Sequence, residues 1–91
     1  MLMQIKNLDY EVLMMFDFTV YKDNSVTEFK KACAIFEEKF PQAYKENILE
    51  DVDGTLIQSY QINGKETTIY NDYDVGAVYL KSEMDLSKVF N

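Results

Sequence analysis

Residues 55–80 read TLIQSYQI NG KETTIY NDYD VGAVYL. Threonine, isoleucine, tyrosine and valine dominate this stretch, and these are residues that suit a pleated, half-buried surface. Asn63-Gly64 separates two strand-like runs, 55–62 and 65–70. Both residues of the pair tolerate positive φ, so the pattern predicts a two-residue hairpin. Asn71-Asp72-Tyr73-Asp74 reads as a second turn and 75–80 as a third strand, which makes the segment a meander.

Upstream, the even positions Leu8, Tyr10, Val12, Met14, Phe16, Phe18 and Val20 are all apolar. The odd positions Asp9, Glu11, Asp17 and Thr19 are polar, and Leu13 and Met15 interrupt them. Period-two alternation predicts one long strand over 8–20 with a buried even face. Leu13 and Met15 are then either covered by another element or exposed for a partner. Residues 2–6 fit a short preceding strand.

Ser25 with Glu28 fits a capping box, in which the serine oxygen accepts from the N–H three residues on and the glutamate reaches back. Val26, Phe29, Ala32, Cys33, Phe36 and Phe40 follow at helical spacing, giving one apolar stripe over 26–40. Pro41 ends this helix or starts another. Residues 42–49, QAYKENIL, predict a short second helix packing Tyr44 and Ile48. Ser82 or Asp85 is placed to cap a last helical turn through Leu86, Val89 and Phe90. The expected fold class is therefore α+β: an antiparallel sheet in β-α-β-β-β order, with one main helix on one face and short flanking helical turns. The 91 residues allow a single domain, 1–91.

Composition narrows the function classes. Cys33 is the only cysteine and there is no histidine. An intramolecular disulfide and Ser-His-Asp or Cys-His sites are thereby excluded, and a lone thiol cannot build a structural zinc site by itself. A nucleophilic cysteine needs a nearby base or positive field, so Cys33 reads as a small core residue. The chain carries −7, and all nine of its cations are lysine. Arginine's planar fork, on which phosphate and base-edge recognition leans, is missing, and an acidic chain is repelled by a phosphate backbone. Direct nucleic-acid binding is not expected. No run approaches a membrane span, and residues 1–11, MLMQIKNLDYE, lack a signal-peptide core, so the expected compartment is the cytoplasm with no membrane partner.

The charge is unevenly placed. Residues 46–74 hold Glu46, Glu50, Asp51, Asp53, Glu66, Asp72 and Asp74 against Lys65 alone, a net −6. The remainder, nine acids against eight lysines, is nearly neutral. Such a segment serves either as a solvated face that keeps the protein soluble or as a field that steers a basic partner. Tyr60, Tyr70, Tyr73 and Tyr79 lie in or beside it. Tyrosines among carboxylates suit a basic protein partner, because rings give rigid contact area and acids pair with lysine or arginine. The candidate partner-binding residues are Glu50, Asp53, Glu66, Tyr70, Asp72, Tyr73 and Asp74, with Tyr70 and Tyr73 as aromatic anchors.

Asp51-Val52-Asp53-Gly54-Thr55-Leu56 spells the Asp-x-Asp-Gly-Thr motif of haloacid-dehalogenase-like phosphatases, where the first aspartate is the nucleophile and the second the acid/base. The context does not suit it. The motif follows a mixed segment rather than an apolar strand, and too little chain remains for a doubly wound sheet. The motif reads as a polar turn. An EF-hand loop counted from Asp51 puts Leu56 and Ile62 at positions that need glycine and glutamate, so no metal or other cofactor is expected.

In its small size, low pI, lack of catalytic apparatus and helix-on-meander layout, the chain resembles the cytosolic immunity proteins of bacterial polymorphic and contact-dependent growth-inhibition toxins. The resemblance implies a protein that is not an enzyme and that neutralises a cognate basic toxin domain, often a nuclease, as a monomer or weak homodimer. It carries over no individual residue. A phage-type anti-restriction or anti-CRISPR inhibitor shares the same character.

Overall fold

The computed structural model describes residues 15–90. Strand β1 (Phe16–Tyr21) is followed by helix α1 (Val26–Lys39), two two-residue strands β2 (Tyr44–Lys45) and β3 (Leu49–Glu50), and then β4 (Leu56–Ile62), β5 (Lys65–Asp72) and β6 (Ala77–Ser82). All pairings are antiparallel, in the order β1-β6-β5-β4-β2, with β3 also on β4. The α+β class with one helix on a sheet is thus present. The residues 2–6 expected as a strand, and 8–14 of the expected long strand, lie outside the described residues.

Helix α1 begins where its cap predicts. Ser25 is extended and its Oγ accepts from the Glu28 N–H at 3.0 Å. Glu28 pairs with Lys31 at 3.5 Å, one turn along the helix. The helix ends at Lys39, just before Pro41, with the Phe40 N–H donating to the Phe36 carbonyl. Its stripe of Phe29, Ala32, Cys33 and Phe36 is buried against Tyr60 and Ile62 of β4, Ile69 of β5, and Val78 and Leu80 of β6. The Phe36 ring sits 4.5 Å from that of Tyr60 and 4.9 Å from that of Phe40, within the range of favourable tilted aromatic pairs. Leu86 closes the lower end, in a single turn where the Val89 N–H donates to the Leu86 carbonyl.

In β1, Asp17 and Thr19 are exposed while Phe18 and Val20 pack against the core, as the alternation requires. A register shift between Thr19 and Tyr21 then breaks the period, so that Val20 and Tyr21 both reach the core. Phe16 is exposed although it belongs to the apolar set.

The hairpin at Asn63-Gly64 forms as expected. Both residues take positive φ, 50° and 79°, and Ile62 pairs with Lys65. The next turn is displaced from the expected position. β5 runs on through Asn71 and Asp72, the turn occupies 73–76, and β6 starts at Ala77. Asn71 continues the inward series Thr67, Ile69, Asn71 and is fully buried. Asp72 starts the turn instead, its Oδ1 accepting from the N–H groups of Asp74 at 2.9 Å and Val75 at 3.1 Å.

The expected helix over 42–49 does not form. Tyr44 pairs with Gln61, Lys45 with Tyr60, Leu49 with Ile57 and Glu50 with Leu56, so the segment is a broken edge strand on β4. Eight residues give too few hydrogen bonds to offset helix nucleation, whereas the edge of β4 offers unpaired backbone groups. Tyr44 and Ile48, expected to pack, are exposed.

Candidate functional site

The acidic residues converge because two turns meet. The first, 51–54, joins β3 to β4. The Asp51 N–H donates to the Thr55 carbonyl at 2.8 Å and the Gly54 N–H to the Asp51 carbonyl at 3.0 Å. The carboxylates complete the turn: Asp51 Oδ1 accepts from the Val52 N–H at 2.8 Å, and Asp53 Oδ1 from the Thr55 N–H at 2.9 Å. The phosphatase-like motif is therefore a hairpin connection between antiparallel strands, with one oxygen of each aspartate held by backbone.

The second turn, 73–76, lies against the first. The Tyr73 N–H donates to Thr55 Oγ1 at 3.4 Å, and the Tyr73 ring covers Gly54. Gly54 has φ 89°, a conformation that favours glycine, and a Cβ there would come 3.3 Å from the ring, close enough that the exposed Tyr73 would have to shift. Glu50, Asp51, Asp53, Asp72 and Asp74 thus share one end of the sheet. None of them takes part in an ion pair among the described residues.

The hydrogen bonds from Val75 and Asp74, with one from the Tyr79 hydroxyl to Oδ2 at 2.9 Å, hold the Asp72 carboxyl below the usual range. Burial, with the bond to Asp72, pushes the Tyr79 phenol up to about 12. Tyr79 also stacks on Tyr70, with ring centroids 4.8 Å apart. Tyr70, Asp72 and Tyr79 therefore form one cluster on the sheet face opposite α1. Tyr73 stands apart from them on the exposed turn. Glu66 is at the far end of β5, six residues from Asp72, or roughly 20 Å at the rise of a strand. Its carbonyl and N–H bind the backbone and side chain of Glu83. Of the seven residues singled out from sequence, Glu50, Asp53, Asp72, Tyr73 and Asp74 are brought together at one end, Tyr70 joins through Tyr79, and Glu66 does not.

A second feature was not legible in the sequence. Residues 44–50 form a strap along β4, and between the strap and α1 lies an open cleft of about 590 Å³. Phe29, Lys30, Cys33, Ala34 and Glu37 line it from the helix, Lys45, Glu46, Asn47 and Ile48 from the strap and Gln58 from β4, so its wall mixes apolar groups with two lysines and two glutamates. Lys45 Nζ lies 3.0 Å from Glu37 Oε2, which also accepts from the Tyr60 hydroxyl at 2.6 Å. Burial pushes the Glu37 carboxyl up, but the hydrogen bonds from Tyr60 and Lys45 outweigh it and hold the group below its ordinary value. Burial, then the bond to Glu37, raises the Tyr60 phenol. Burial also pushes the Cys33 thiol up to about 11, which suits an inert core residue. No group of three or more potential metal-ligating side chains occurs among the described residues, nor does a helix long and apolar enough to cross a membrane.

Comparison with family models, curated proteins and solved structures finds no match to this chain.

Proposed function

We propose that this protein is a non-catalytic inhibitor that binds a basic protein through its acidic end, acting in the cytoplasm as an immunity protein neutralising a toxin domain. One observation carries the reading: the 51–54 and 73–76 turns pack together and gather five carboxylates with no ion pair among the described residues. Like charges held close raise the local potential and repel one another, an arrangement that a basic partner relieves. The two turn aspartates of the phosphatase-like motif act in this reading as structural acceptors and charge, with no nucleophile.

The test is affinity capture of partners from the source organism, followed by association kinetics at varied salt. A basic domain is expected, with an association rate that falls steeply as salt rises and screening shortens to about 10 Å. The variant Asp51→Asn, Asp53→Asn, Asp72→Asn, Asp74→Asn keeps each turn's amide acceptor and removes four charges, so it should fold and associate slowly. Exposed pairs are worth on the order of 0.2–1 kcal/mol each, so the loss is collective. A salt-independent rate, with binding unchanged in the quadruple variant, overturns the proposal.

A further inference from the structure

The sheet face opposite α1 departs from the expected polarity at one level. An antiparallel sheet covered on one side alternates apolar toward the covering layer and polar toward water. At the level of Ser59 the residues facing away from the helix are Ser59, Thr68, Lys81 and Asp17, as that rule requires. Two residues nearer the acidic turns they are Leu49, Ile57, Tyr70, Tyr79 and Thr19. Leu49 pairs with Ile57, Ile57 with Tyr70 and Tyr70 with Tyr79, so the four side chains stand in one row across β3, β4, β5 and β6. Leu49 is exposed and the other three are half-buried, with the helix packed on the other face.

The row is also preorganised. Tyr79 is held twice, by its stack on Tyr70 and by its hydroxyl on Asp72. Rings fixed in this way lose little rotamer freedom on binding, which removes one of the costs of association. At the β1 end the row opens into a groove of about 310 Å³, lined by Asp17, Phe18, Thr19, Val75, Tyr79 and Lys81.

Charge differs on the two flanks. Toward the turns, Asp72 follows Tyr70 on the same face, with Asp51, Asp53 and Asp74 beside it and none of the four in an ion pair among the described residues. Lys22 and Asp23, which follow β1 toward the same end, cancel one another. On the far flank Lys81 and Asp17 are cross-strand partners and cancel as well, between neutral Ser59 and Thr68. An occupant of the row therefore meets net negative charge along one side only. Nucleic acid and anionic lipid are repelled by that side.

We infer that the row Leu49–Ile57–Tyr70–Tyr79 is the apolar centre of the docking surface for a basic protein partner, which lays aliphatic or aromatic side chains across it and into the groove beside Tyr79, and sets lysines or arginines along Asp51, Asp53, Asp72 and Asp74. Apolar and tyrosine anchors at the centre with charges at the rim are the usual division of an interface. The inference rests on the acidic-end reading and adds which face of the sheet the partner covers.

Titration of the ¹⁵N-labelled full chain with synthetic peptides, followed by amide chemical shifts, tests it. The probes are acetyl-KRLFRKLF-amide, the same peptide with serine for every apolar residue, and the same peptide with glutamate for every lysine and arginine. The first should shift the amides of Thr19, Leu49, Ile57, Tyr70, Val75 and Tyr79 and leave Cys33, Ala34 and Asn47, on the helix side, unmoved. The other two should bind at least about tenfold more weakly, the scale of losing an anchor or a charge set. Tyr70→Thr keeps a strand-forming residue and should weaken the first peptide by about tenfold, its fold being checked by an unchanged amide spectrum away from the row. Leu49→Ser, at an exposed position, should weaken it by about threefold. Shifts confined to 51–54 and 72–76, with normal binding by both variants, overturn the row and leave the acidic-end reading standing. Equal binding of the glutamate peptide overturns both. Equal binding of the serine peptide, shifts on the helix side in place of the row, or no binding by any peptide overturn the row alone, because the acidic-end reading is tested on the captured partner. In the protein without peptide, row shifts that depend on protein concentration would assign the face to a second copy, and nuclear Overhauser contacts from residues 1–14 would assign it to the chain itself; either result overturns the row as a partner site.

Discussion

The helix-covered side of the sheet and the strap along its edge use similar residues to opposite ends. On the covered side, Phe29, Phe36, Ile69 and Leu80 interlock out of water, and the polar residues among them are mostly satisfied, as with Thr67 Oγ1 and Ser82 Oγ at 2.7 Å. On the strap, Tyr44, Ile48 and Leu49 are as apolar but face solvent, held by four residue pairs to β4 and by side-chain clips such as Gln61 Nε2 to Glu46 Oε2 at 3.1 Å. Burial against a helix needs a second layer, and the helix packs its apolar stripe on β4, β5 and β6, meeting the strap through the Glu37–Lys45 ion pair. The strap lies beyond that stripe. The first region therefore sets stability, and the second leaves its apolar side chains in water.

Four measurements sharpen or break this contrast. Phe36→Ala removes a fully buried ring that touches two others, and the loss should be about 3–5 kcal/mol in denaturant unfolding. On a domain this small that approaches total stability. An unchanged midpoint would show that the helix stripe is not the core.

Asn71 tests the covered side from the other direction. It is fully buried, and neither Nδ2 nor Oδ1 has a partner among the described residues. An unsatisfied buried amide costs about 1–3 kcal/mol, so Asn71→Leu, similar in shape, should raise the unfolding midpoint. A lower midpoint would mean that the amide has a donor and acceptor and belongs to a polar network.

The Tyr60–Glu37–Lys45 group joins the two regions, and its effect should be smaller. Hydrogen bonds to charged groups are worth about 1.5–3 kcal/mol, and because Glu37 keeps contact with water Tyr60→Phe should fall at the low end. The pH dependence follows from the depressed Glu37 carboxyl. Its stabilisation is present above the ordinary glutamate value near about 4.3 and is lost as pH falls through the lower folded value. The gap between wild type and Tyr60→Phe should therefore narrow below about pH 4. A constant gap down to acid unfolding would assign the effect to packing alone.

The smallest effect belongs to the strap. Ile48→Ser and Leu49→Ser should each move stability by no more than about 0.5 kcal/mol, as exposed surface changes do. A loss above about 2 kcal/mol would show that these residues are core after all, and the contrast would fail.

Much of the fold was legible because it is local chemistry. Ser25 announces the helix start by capping geometry, Pro41 its end, and Asn63-Gly64 the hairpin by its tolerance of positive φ. Period-two alternation marked β1 as far as Thr19. Sequence reading went astray where neighbours in space outweighed neighbours in the chain. QAYKENIL carries no strong helix or strand period, and it became an edge because β4 had unpaired backbone to offer. Asn71-Asp72 looked like turn residues. Only the register with Leu56 and Val78 drew Asn71 into the core and moved the turn two positions on.

The candidate site divides along the same line. The sequence by itself determined the excess of carboxylates in 46–74, the lack of arginine and histidine, and the tyrosines among the acids, because composition and linear spacing are properties of the chain. Tertiary structure decided which of those acids lie together. The packing of Tyr73 on Gly54 brings Asp51 and Asp53 beside Asp72 and Asp74, while the length of β5 carries Glu66 to the opposite end. It also decided that the apolar residues of 44–52 would lack a covering layer, since one fourteen-residue helix cannot shield both the centre and the edge of the sheet.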